Sequence, residues 1–203
     1  MTLPRLFLLL LLAFACAQAL LPTVRSGASS DELLPVAVER SVTRLGREGG
    51  FDEETAGSEL SALLGPTARA LHGMGMGGRV EALETAANRA AERATAELGP
   101  WLREEAARFV PPDSEEDGAT AAFRAVVEPA WQERLRGAVE RSVADAGVPE
   151  ALDGVRTSAA RLPLPREVSL DPVVLVSERV RSAFFRVLAD EEARLRAGER
   201  DDA

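Results

Sequence analysis

The 203-residue chain contains no tyrosine, no lysine and no isoleucine. Asparagine, histidine and cysteine occur once each, as Asn88, His72 and Cys16. These absences exclude a good deal. With one cysteine there is no internal disulfide, and with one histidine there is no Cys/His zinc cluster. A ferritin-like di-iron bundle needs two Glu-x-x-His pairs, and the chain cannot supply them. A Ser-His-Asp triad would have to use His72, next to a glycine-rich turn. All 24 basic residues are arginine, set against 33 acidic ones for a net charge of −9. That balance argues against a nucleic-acid footprint and against charge-driven adhesion to an anionic membrane. Aromatics make up only 4% of the residues, which with abundant alanine disfavours strands. What is present is 46% hydrophobic residues, enough for a core. The residues that are missing match a GC-rich coding bias, so the one surviving asparagine stands out.

The N-terminus, "MTLPRLFLLLLLAFACAQALLP", places one arginine before an apolar run and small residues after it. This is the layout of a signal peptide over residues 1–19, with Ala17-Gln18-Ala19 as the cleavage site. Ala13-Phe14-Ala15-Cys16 is similar to a lipobox, although Phe14 departs from the pattern, so an anchor at Cys16 is the alternative. Localisation is therefore expected to be periplasmic or secreted, or else membrane-anchored through a lipid on Cys16.

Further along, residues 20–30 read as a linker, 31–197 as one all-helical domain and 198–203 as a disordered tail. Ser30-Asp31 can cap a helix carrying Leu34, Val38, Val42 and Leu45, and Gly46 stops it. "REGGFDEETAGS" reads as a loop, followed by a short helix interrupted at Pro66 and the turn "GMGMGG". Arg79 to Leu98 is the most regular helix, with a seam of Val80, Leu83, Ala87, Ala90 and Ala94. Gly99 and Pro100 are expected to end it and start another. Ala119–Val127 and a segment opened by Pro129 read as two further helices. Glu150–Arg161 follows, and Asp171-Pro172 begins a long last helix. The fold class predicted is all-α, a multi-helix bundle behind a signal peptide. "AVERSV" at 37–42 and 138–143 repeats without matching flanks.

Several of these segments together, "AVERSVTRLG" with "GGF" behind it, "VEALETAANRAAERA", "EEDGATAAFR", "ERLRGAVERSVADAGV" and "SAFFRVLADEEARLR", carry a resemblance. Over residues 31–197 the chain resembles the bacterial family called domain of unknown function 4197. The resemblance implies an exported all-helical protein and brings no catalytic residues with it. The 111–116 loop is shorter than the family's. Where this chain has Met74 and Met76 the family has Val-Gly-Leu-Gly, which implies apolar fillers there.

Candidate chemistry is sparse. His72, Met74 and Met76 form a soft donor set of the kind that suits copper(I), against a plain reading as core-filling methionines. On the helix at 79–98, Glu81, Glu84, Asn88, Glu92 and Thr95 form one stripe beside the apolar seam. Such a stripe is either a solvated face or an acceptor for an arginine or a cation. In the last helix Val173, Val176, Val180, Phe184, Val187, Leu188 and Leu195 share a face, and Glu191 falls near its middle while Asp190 and Glu192 point elsewhere. A buried carboxylate there must be paired, protonated or lining a cavity. The candidate polar cluster is therefore Glu84, Asn88, Arg89 and Glu92 meeting Glu191. Two functions follow. The first is a non-enzymatic cell-envelope protein that binds a small ligand or a protein partner. The second is an enzyme or metal-dependent protein working through Glu84, Glu92 and Glu191. No cofactor is implied.

Overall fold

A computed structural model of the chain describes residues 30–54, 59–110, 118–163 and 168–198. The expected signal peptide, Cys16, the expected linker up to residue 29 and the tail from residue 199 lie outside the described residues. Among the described residues there are eight helices and no strand. They are α1 (Ser30–Gly46), α2 (Gly50–Glu54), α3 (Glu59–Leu64), α4 (Pro66–Gly73), α5 (Gly78–Arg108), α6 (Gly118–Asp145), α7 (Val148–Ala160) and α8 (Pro172–Arg196). None of them is long and apolar enough to cross a membrane.

The bundle is built around α5, which packs against α1, α2, α4, α6, α7 and α8. Its seam explains this. Val80, Leu83, Ala87, Ala90 and Ala94 are all essentially fully buried, joined by Ala86 and Ala91. A band of alanines lets several helices approach one axis, because interaxial distance follows side-chain size. Helix α1 lies along α5, with Gly46 against Ala96 and Arg103 paired to Glu39. Residue numbers fall on one helix as they rise on the other, so the two run antiparallel.

Two helices are longer than the sequence pattern suggests. Helix α5 continues through Gly99-Pro100, and α6 continues through Pro129. Proline removes one backbone donor, but the apolar face carries on across it: Leu98, Leu102 and Ala106 in α5, and Phe123, Val127, Trp131 and Leu135 in α6. Tertiary packing outweighs the local break. Gly99 has a packing role: a Cβ there would sit 2.7 Å from Val42 Cγ1 of α1. A second difference is α2, a short helix inside the stretch that reads as a loop. Phe51 anchors it in the core.

Helix α8 begins where its cap predicts. The Asp171 Oδ1 accepts from the backbone N–H groups of Val173 at 2.8 Å and Val174 at 3.0 Å, with Pro172 in the first turn. Arg156 of α7 holds the segment before it, donating to the carbonyls of Val168 and Leu170.

Candidate functional site

The polar side of α5 does not face water along its length. Glu81 is exposed and Glu84 half-buried, but Asn88, Glu92 and Thr95 are buried. Asn88 joins those two elements. Its Nδ2 donates to Asp52 Oδ1 of α2 at 2.5 Å, and its Oδ1 accepts from Arg179 Nη1 of α8. An amide side chain can give to an anion through its nitrogen and take from a cation through its oxygen at the same time. Arg179 is 2% exposed. Val176 and Ala183 flank it at i−3 and i+4 on the apolar face of α8, so the guanidinium stem runs through the core.

One turn along α5, Glu92 accepts backbone hydrogen bonds from Gly49 and Phe51 at the start of α2. Burial pushes its carboxyl up. The two backbone hydrogen bonds pull it down, and the negative charges of Asp52 and Glu48 push it up again, leaving it above the ordinary value.

Glu191 belongs to a different group. It is buried, and arginines surround it: Arg194 at 2.9 Å on its own helix, and Arg44 at 3.4 Å and Arg40 at 3.8 Å on α1. The residues proposed from sequence as one cluster thus fall into two. Asn88 and Glu92 sit with Asp52 and Arg179. Glu191 lies 12 residues further along α8 than Arg179, about 18 Å at helical rise. Arg89 is exposed and Glu84 half-buried.

Glu192, expected to point away from the core, is also buried. Its two oxygens accept from the backbone N–H groups of Ala119 at 2.9 Å and Thr120 at 2.8 Å, the first turn of α6. Arg196 closes on it at 2.6 Å. Burial would push this carboxyl up, but the hydrogen bonds from Thr120 and Ala119 and the Arg196 charge outweigh it and hold the group below the ordinary range. Gly118, at φ 71°, makes the turn that aims these N–H groups at the carboxylate.

The soft donors of the "LHGMGM" stretch are not buried together. His72 lies against Gly77, Met74 is 53% exposed and Met76 packs half-buried on the core. Among the described residues, no three His, Cys, Asp or Glu side chains gather to hold a metal ion.

Above Glu192 a groove of about 1020 Å³ opens between α6 and α8. Its surface is made of small residues around Phe185: Gly118 and Ala121 from α6, Ser182, Ala189 and Ala193 from α8. Arg124, Arg181, Arg186 and Arg196 line it, with Glu192 as the only acidic lining residue among the described residues. Arg124 stacks over the Phe185 ring at 5.0 Å and pairs with Glu128 at 3.3 Å. Arg181 reaches Glu178 on its own helix and Glu128 at 3.7 Å. Behind the groove, Phe185 belongs to an aromatic cluster with Trp131 and Phe184, and Trp131 stacks on Trp101 beyond.

Residues 26–202 match the family model described as protein of unknown function (DUF4197). The chain belongs to this family. No curated protein and no solved structure matches it. Membership carries no activity with it, so the site rests on its own geometry. Sequence reasoning reached Asn88, Glu92 and Glu191 but missed Arg179, Asp52 and Glu192. Arg179 had a signal: it lies beside Val176 and Ala183 on the helical wheel. Asp52 had none, because its helix was read as a loop.

Proposed function

We propose that this protein is a non-enzymatic binding protein of the cell envelope and that the groove between α6 and α8 is its binding surface. The observation that carries the reading is a contrast in the use of charge. Glu92 and Glu192 hold backbone N–H groups at helix starts, Glu191 holds three arginines, and Asn88 ties α2 to α8. These groups are engaged in joining elements of the fold. The groove gathers Arg124, Arg181, Arg186 and Arg196 on an open surface of a chain of net charge −9, where Arg124 and Arg181 hold part-exposed pairs with Glu128 and Glu178 and Arg196 closes on Glu192. Charge placed against the average of a surface is an interaction signature.

Native mass spectrometry of the protein purified from its producing cell tests this. The wild-type chain is expected to retain an added mass that Ala189→Glu, an exposed groove position, removes. Retention unchanged by Ala189→Glu, or no retained mass at all, overturns the reading.

Export belongs to the same proposal, supported by the layout of residues 1–19. The mature protein is expected to begin at Leu20, read by N-terminal sequencing. A lipid-modified Cys16 would instead place it on a membrane.

A further inference from the structure

We infer that the turn between α4 and α5 binds a soft monovalent cation, copper(I), through the His72 imidazole and the Met74 and Met76 thioethers. This goes beyond the reading of the groove as a binding surface and does not depend on it. His72 is the one histidine of the chain, and Met74 and Met76 are its only methionines apart from Met1. All three fall in the stretch 72–76, alternating with Gly73 and Gly75.

Methionines at such a place ordinarily fill gaps in a core. Here they do not. Met74 is 53% exposed, and Met76 rests on the core only half-buried. An exposed thioether contributes little to packing, and what it offers solvent is a soft sulfur.

The turn is closed by its own backbone. The Met74 N–H donates to the Ala70 carbonyl at 3.1 Å, the Gly75 N–H to that of His72 at 3.0 Å and the Met76 N–H to that of Leu71 at 2.8 Å. Gly75, at φ 73°, takes the left-handed conformation inside this reversal. The Cα atoms of Met74 and Met76, two residues apart, lie at most about 7.6 Å from each other. His72 folds back over the same turn. A Cβ on Gly77 would lie 2.2 Å from its Nδ1 and 2.7 Å from its Cε1, so a side chain at 77 would displace the ring. The imidazole thus borders the residue that follows Met76. It is exposed, and among the described residues it has no hydrogen-bond or ion-pair partner. A ring placed by shape alone keeps its nitrogens for a ligand. A Cβ at Gly73, Gly75 or Gly78 would meet nothing within 4 Å, so the turn stands clear of the rest of the protein and an ion can reach it from solvent.

The donor set selects the ion. One imidazole and two thioethers bring no negative charge and suit copper(I). Zinc and calcium want more imidazole, thiolate or carboxylate, and among the described residues no three His, Cys, Asp or Glu side chains gather.

Silver(I), a redox-inert ion of the same charge and softness, is the probe. It is titrated into the full chain carrying Cys16→Ser, so that the one thiol does not take it. The methionine methyl groups are labelled with carbon-13 and read by NMR. The Met74 and Met76 methyls and the His72 ring are expected to shift together and to stop at a single equivalent, with Met1 unmoved as the internal control. Copper(I) presented with a chromophoric competitor then gives relative affinities. Losing a metal ligand should cost at least what losing a ligand's outer partner costs, so Met74→Leu and His72→Ala should each weaken copper(I) by about tenfold or more. Met74→Leu keeps the apolar volume, and its metal-free melting curve should match wild type, which separates a lost ligand from a damaged fold. No shift, a shift of one methionine alone, or Met1 moving with the others overturns the inference. So does Met74→Leu binding copper(I) as wild type does, or zinc(II) moving the same signals. Mass retained in the groove and removed by Ala189→Glu is a separate readout, so the turn can fail while the groove reading stands.

Discussion

Glu92 and Glu192 are two buried carboxylates that do the same local work and respond to it in opposite ways. Each reaches from a long helix to the first turn of another element and accepts two backbone N–H groups. Burial pushes both carboxyls up, yet Glu92 ends above the ordinary value and Glu192 below it. Beside Glu92 stand Asp52 and Glu48, and beside Glu192 stands Arg196. The difference lies in what else stands at hand: Thr120 and then Arg196 add to the lowering at Glu192, whereas Asp52 and Glu48 add to the raising at Glu92. The anion that joins α8 to α6 is stabilised as an anion. The one that joins α5 to α2 is a stronger holder of its proton.

The largest effect expected from breaking this comparison is at the α6 end. Glu192→Leu leaves the Ala119 and Thr120 N–H groups without their acceptor and Arg196 without its partner. It should cost about 3 kcal/mol, read as a lower urea midpoint with unchanged slope. Next comes the bridge beside Glu92. Asn88→Ala removes the amide between Asp52 and Arg179 and should cost about 2 kcal/mol, while Asn88→Gln should recover only part of it, its longer stem being misfitted to the site.

The carboxylates themselves separate by pH. The folded pKa of Glu192 lies below the ordinary 4.5. Its stabilisation is therefore present above that value and lost as pH falls through the folded pKa. Glu92 is raised above 4.5, so its contribution is present below 4.5 and lost as pH rises through the raised value. Glu192→Gln should flatten the acid limb of a melting-temperature profile. Glu92→Gln should steepen it and raise the melting temperature at neutral pH. A wild-type-like profile in both would show that the two carboxylates do not differ. Smallest of all, Arg141→Ala breaks an exposed pair with Glu97 and should leave the denaturation midpoint unmoved within error.

Much of this fold could be read without coordinates because it rests on period and caps. The seam of α5, the Asp171-Pro172 start of α8 and the stripe through Trp131 and Leu135 all announce themselves. Pro100 and Pro129 misled because a local break was weighed without the apolar face that runs past it. The site was legible only as separate halves. Helical wheels place Asn88, Glu92 and Glu191 on the right sides of their own helices. They say nothing about register between helices, and register is what gives Asn88 to Arg179 and Glu191 to Arg40 and Arg44. Glu192 was missed for a related reason: a wheel sees a helix from its own core stripe and not from a neighbour arriving end-on. The groove was invisible for the same cause, since it exists only where α6 and α8 meet.

The pairing of Glu191 with Arg44 spans 147 residues. Helix α1 is the first described helix, and it packs chiefly against α5 and against α8, the last described. Until α8 is made, the side of α1 that packs on it therefore lacks its cover. Closing so long a loop is slow compared with forming local helices. The seam between first and last helix is then the final step of maturation, and a chain halted before α8 stays open along that edge.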